Sequence, residues 1–160
     1  MEYRLKQNKD DFIKELQGEV YNINPSVSSW LKNYNDSFKT ALDPGNLDQL
    51  IDFANLKKLP REYWVDIIRA TLVLIGFGCK NVYVFGSVAR DQASDNSDLD
   101  LAIEGCPVGK FLKIYGKVID VTEHDIDLVN LDKEQDKYVK YLKDPKEGEL
   151  IRVNKRGSED

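Results

Sequence analysis

The sequence predicts an α/β fold of the α+β kind: a small mixed β-sheet core flanked by helices, behind an all-helical N-terminal extension. Two patterns carry that expectation. Up to residue 56 the apolar residues recur only at helical spacing, whereas after Pro60 short β-branched and aromatic runs alternate with helical ones. The length agrees, since 160 residues with 41% hydrophobic content suffice for one core and an appended piece. The boundaries read from the sequence are a helical extension over 1–58, the sheet domain over 59–153 and a disordered polar tail over 154–160.

Phe12, Ile13, Leu16 and Val20 share one helical face over 10–20. After Asn24-Pro25, the residues Val27, Trp30, Leu31, Tyr34, Phe38 and Leu42 mark a second, amphipathic helix. Pro25 suits its first turn, and Asp43-Pro44-Gly45-Asn46 stops it. Leu47, Leu50, Ile51 and Ala54 predict a third, shorter helix. Trp64, Ile67, Ile68, Leu72 and Ile75 line the next one, which Gly76 and Gly78 can end. Val82-Tyr83-Val84-Phe85 has the composition of a buried strand. Gly86-Ser87 turns the chain, Val88-Ala89-Arg90 starts a short helix, and Ser94 to Ser97 is turn-like. Asp98 to Ile103 is the second strand. Phe111, Ile114, Tyr115 and Val118 mark a helix, and Ile126 to Leu131 is the third strand. Tyr138, Tyr141 and Leu142 belong to a helix ending before Asp144-Pro145, and Glu149 to Val153 reads as a short edge strand.

A formal net charge of −5 argues against bulk attraction to nucleic acid or to an anionic membrane. The longest apolar stretch, Ala70 to Phe77, is too short to span a bilayer, and the opening MEYRLKQNKDDF has no signal-peptide core. Cys79 and Cys106 read as ordinary free thiols, so a reduced, cytoplasmic protein is expected. The single histidine, His124, excludes a histidine-rich zinc site and reads as a surface loop residue. Trp30, Tyr34 and Phe38 read as packing for the extension, and Lys110 and Lys113 as a solvated helix face.

The stretch from 84 to 101, VFGSVARDQASDNSDLDL, needs a chemical explanation. Period-two alternation puts Asp98 and Asp100 on one face of their strand, opposite Leu99, Leu101 and Ile103. Two like charges that close repel and raise one pKa, and a hard divalent cation removes the conflict. Gly86 lets a phosphate approach the backbone, and a Ser87 that opens a helix points its hydroxyl and nearby N–H groups at an anion. A phosphate cradle after one strand and a metal-binding pair on the next describe a nucleoside triphosphate site. Magnesium typically binds there through one or two carboxylates plus substrate phosphates.

Gly86-Ser87, the ten residues 88 to 97, then Asp98-x-Asp100 is similar to the signature of the DNA polymerase β nucleotidyltransferase superfamily. Val84-Phe85-Gly86-Ser87-Val88-Ala89-Arg90 and Ser97-Asp98-Leu99-Asp100-Leu101 resemble its minimal nucleotidyltransferase branch more closely. Ile126-Asp127-Leu128-Val129-Asn130-Leu131 resembles the strand that brings a third acid, with Asp127 in that position. Asp125 shares its strand face. Lys146-Glu147-Gly148-Glu149-Leu150-Ile151 resembles the segment that closes these small domains. The family often has glycine where this chain has Asp91; if positive φ is needed there, aspartate tolerates it less well.

The resemblance, which covers about residues 60 to 153, implies a nucleotidyltransferase core that uses ATP or another NTP and two Mg²⁺ ions. It makes Asp98, Asp100 and Asp127 the catalytic and metal-holding residues, and Gly86 and Ser87 the partners of the β- and γ-phosphates. Arg90 either offsets phosphate charge or pairs with a surface acid such as Asp91 or Asp95. It further implies transfer of a nucleoside monophosphate, AMP in the first place, to an acceptor hydroxyl. Small stand-alone members of this branch are often antitoxins that adenylylate a tyrosine of a helical HEPN-type ribonuclease toxin, so such a toxin is the expected protein partner. One alternative is modification of a small molecule, as in aminoglycoside nucleotidyltransferases. Those carry a helical domain after the catalytic one, where this chain has only a short piece. The other is a non-catalytic binding antitoxin with a residual nucleotidyltransferase fold, against which the intact Gly86, Ser87, Asp98, Asp100 and Asp127 stand.

Overall fold

The computed structural model describes residues 9–20, 47–94, 97–146 and 148–155. The helix expected over 27–42, with Trp30, Tyr34 and Phe38, lies outside them. Four strands form one sheet: β1 (Asn81–Phe85), β2 (Leu99–Glu104), β3 (Ile126–Asn130) and β4 (Ile151–Arg152), in the order β3-β2-β1-β4. β1 is antiparallel to both β2 and β4, while β2 and β3 are parallel, so the sheet is mixed as the sequence predicts. The helices are α1 (Lys9–Val20), α2 (Leu47–Leu50), α3 (Phe53–Leu56), α4 (Trp64–Gly76), α5 (Gly86–Ala89), α6 (Phe111–Val121) and α7 (Lys137–Lys143). A 3₁₀ turn, Arg61–Tyr63, leads into α4. Parallel strands cannot be joined by a hairpin, and α6 supplies the crossover between β2 and β3.

Strand alternation sorts side chains to two faces. Val82, Val84, Leu99, Leu101, Ile103 and Leu128 join the main core with the apolar residues of α4 and α6, and Ile13, Leu16 and Val20 of α1 complete it. On the other face Phe85 and Ala102, with Leu131, are covered by Val139 and Leu142 of α7. Arg69 of α4 ties α1 down. Its Nε donates to the Val20 carbonyl at 2.8 Å and its Nη2 to the Glu19 carbonyl at 2.9 Å, which satisfies two groups that a helix end leaves open.

Three expectations are corrected. The single helix expected from Leu47 to Ala54 is split in two. Ile51 leaves it to form a β-bridge with Asn154, and Asp52 starts α3 as its cap, accepting from the Asn55 N–H at 3.1 Å. Asn154, expected to open a disordered tail, is 3% exposed. Its Oδ1 accepts from the Val82 N–H at 2.9 Å, and its Nδ2 donates to the Lys80 carbonyl at 2.9 Å. Residues 156–160 of that tail lie outside the described ones.

Cys79 and Cys106, expected as free thiols, form a disulfide instead. Strand register is the reason. Asn81 faces Glu104, and two steps outward along each antiparallel strand set Cys79 against Cys106. The cysteines therefore no longer speak for a reducing compartment. Among the described residues no helix is long and apolar enough to cross a membrane.

Candidate active site

The chain leaves β1 at Phe85 and enters α5 through Gly86, whose φ is +72°. A Cβ at this position would fall on Asp100 Oδ2, with Asp100 Cγ only 3.0 Å from it. Glycine is thus needed twice, for the left-handed backbone and for the approach of a carboxylate. The sequence had reserved that space for a phosphate; the structure shows that Asp100 borders it. Further along the turn Asp91 takes φ +56°, so aspartate holds the left-handed conformation that glycine would adopt more easily. Ser87 is half-buried and its carbonyl accepts from the Gln92 N–H at 2.8 Å. Arg90 is exposed, with Nε donating to Gln92 Oε1 at 3.3 Å.

Register brings the acids to this turn. Phe85 faces Asp100 across β1 and β2, and Asp100 faces Asp127 across β2 and β3. Asp125 lies just before β3, where its carbonyl accepts from the Leu99 N–H at 2.8 Å. Of the two candidates for a third carboxylate, Asp127 is the one beside Asp100. Asp98, Asp125 and Asp127 are exposed, while Asp100 is half-buried. Burial pushes the Asp100 carboxyl up to about 6, the charges of Asp127 and Asp98 add to the rise, and Arg90 opposes it.

Among the described residues no group of three or more His, Cys, Asp or Glu side chains is gathered closely enough to hold a metal ion by itself. A carboxylate pair open to phosphate oxygens fits a hard divalent cation that completes its shell from substrate and water. The raised Asp100 pKa reflects the burial and repulsion that such a cation would relieve.

Two features of this region escaped sequence reasoning. Tyr138, at the start of α7, sets its ring against Phe85, with centroids 6.2 Å apart and planes at 67°. Burial raises its phenol above the ordinary value, and the charges of Asp100 and then Asp127 add to the rise. Nothing local in the sequence marks Tyr138 as a neighbour of the carboxylates, because that depends on how α7 crosses the sheet.

The second feature is the anchoring of His124, a half-buried residue of the loop before β3. Its Nδ1 lies 2.7 Å from Oδ2 of the buried Asp66, and its ring stacks on Tyr63 with centroids 4.3 Å apart. Asp66 also accepts from the backbone N–H groups of Glu123 and His124. The Tyr63 hydroxyl donates to the Ser97 carbonyl at 3.0 Å. The entry to α4 thereby holds the loop leading to Asp98 and the loop leading to Asp127. The one available signal was a carboxylate within the otherwise apolar run from Trp64 to Ile68.

Residues 78–154 match the family model described as Polymerase beta, Nucleotidyltransferase. The match runs from just before β1 to just after β4, so it takes in the whole sheet and every candidate site residue. A comparison with curated proteins returned no match. Residues 78–154 of this chain are therefore a nucleotidyltransferase domain of the DNA polymerase β-like superfamily.

Proposed function

We propose that the chain belongs to the minimal nucleotidyltransferase branch and transfers a nucleoside monophosphate, AMP from ATP, to an acceptor hydroxyl. The observation that supports this most directly is the convergence of the Gly86 turn, Asp100 and Asp127 at one end of the sheet, inside a domain of this family. In this reading Gly86 and Ser87 hold the β- and γ-phosphates and Arg90 offsets their charge. Asp98, Asp100 and Asp127 would hold two Mg²⁺ ions, which would supply charge stabilisation for the triphosphate and a lowered pKa for the acceptor hydroxyl. Asp127 accepts the hydroxyl proton. The acceptor oxygen bonds to the α-phosphorus as the bond to the bridging oxygen breaks, and pyrophosphate leaves in line.

The acceptor in this reading is a tyrosine of a HEPN-type toxin made alongside this chain, which acts as its antitoxin. In this reading residues 59–153 are the catalytic domain and 1–58 are a helical extension whose α1, α2 and α3 pack into the shared core. The need for a nucleoside triphosphate places the reaction in the cytoplasm.

The test is incubation with Mg²⁺, α-labelled ATP and the product of the neighbouring gene. Label should appear on that protein and disappear with Asp98→Ala and with Asp100→Ala. Tight inhibitory binding without label, unchanged by either substitution, overturns catalysis in favour of a binding antitoxin.

A further inference from the structure

We infer that the Tyr138–Tyr141 face of α7 is the surface on which the nucleoside of the substrate stacks. This rests on the nucleotidyl-transfer reading and adds a recognition subsite to it. α7 is seated by Val139 and Leu142, which are buried against Phe85, Ala102 and Leu131. Its far end is fixed by Lys143, whose Nζ lies 3.4 Å from Glu104 Oε2 at the end of β2. The start of the helix therefore lies at the other end of β2, where Asp100 is. Asp136 secures that start by accepting from the Tyr138 and Val139 N–H groups at 2.8 and 3.3 Å.

Folding does not account for the two tyrosines, because Val139 and Leu142 already seat the helix. Tyr138 is 49% exposed and Tyr141 47%. Their rings lie nearly parallel, at 14° with centroids 6.2 Å apart, and so present a paired aromatic surface to solvent. The surface is continuous with the site, since Tyr138 meets Phe85, and Phe85 precedes Gly86 and faces Asp100. The electrostatic effect of Asp100 and Asp127 on the Tyr138 phenol agrees with that proximity.

Gly86-Ser87 approaches the carboxylates from the end of β1, and Tyr138 approaches them from the sheet face. A triphosphate on the first element leaves its nucleoside free to reach the second. Base-on-aromatic stacking suits such a surface because every base offers a π-face, and it discriminates weakly between bases.

The full chain is titrated calorimetrically, in Mg²⁺, with ATP and separately with inorganic tripolyphosphate. Tyr138→Ala should bind ATP about tenfold more weakly and tripolyphosphate as before. Tyr138→Phe, which keeps the ring, should bind ATP like the wild type, and Tyr141→Ala should lose part of the affinity. Asp98→Ala should weaken both probes. If Tyr138→Ala and Tyr141→Ala leave ATP affinity unchanged, or weaken tripolyphosphate as much as ATP, the subsite is overturned and the transfer reading stands. A wild-type chain that binds neither probe overturns the transfer reading, and the subsite with it.

Discussion

Asp100 holds its proton to about pH 6, against an ordinary value of 3.8, because it is half-buried with Asp127 and Asp98 nearby. The folded chain binds this proton more tightly than the unfolded one. Ionised Asp100 therefore weakens the fold above pH 6, and the penalty fades as pH falls from 6 towards 3.8. Asp100→Asn, melted in the presence of a chelator, should be more stable than the wild type at neutral pH, with the advantage shrinking through that window. An advantage of the same size at pH 4 would contradict the assignment. The repulsion was legible in the sequence because alternation alone puts Asp98 and Asp100 on one face. The choice of Asp127 over Asp125 was not, because period-two alternation puts both on one face of the strand expected there. Only the parallel register with β2 distinguishes them.

The loops that enter β2 and β3 lead to the acids, and both are fastened at the entry to α4. Tyr63→Phe removes one hydroxyl, the donor to the Ser97 carbonyl. The expected loss of stability is about 1 kcal/mol. The transfer rate should fall further than the small change in the melting curve explains, since the freed loop leads to Asp98. Turnover and melting temperature measured on one preparation check this, and unchanged turnover would leave the hydrogen bond with a structural role alone. The elements themselves were readable from their periods and from their Gly and Pro punctuation. The Asp66–His124 contact was not, because its partners are 58 residues apart and neither belongs to a motif. The split of the helix after Leu50 was hidden for the same reason, since the residue that draws Ile51 away is Asn154.

Asn154 joins the segment between α2 and α3 to β1, an inner strand of the sheet. Its amide bonds the backbone of β1 and of the residue before it, while its own backbone bridges Ile51 between α2 and α3. Asn154→Ala leaves a buried N–H and a carbonyl without these partners, which costs about 2 kcal/mol. The melting temperature should fall by about 4–8 °C, and amide exchange should rise at Val82 and around Ile51 together. Faster exchange at Val82 alone would show that the helical part does not depend on this link. The mixed character of the sheet was legible because a helix separates the second and third strands whereas the first and second are close in sequence. The disulfide and the Asn154 link were not, because each needs the register of β1 with a distant partner.

Every missense change at position 86 adds a Cβ, and that atom lands on the Asp100 carboxylate. Shrinking residue 100 first would open the space but would remove the carboxylate. Neither position can drift ahead of the other without a loss, so the pair is an evolutionary lock. A descendant that abandoned the chemistry would be free to change both, and its Gly86 would record whether the lock still held.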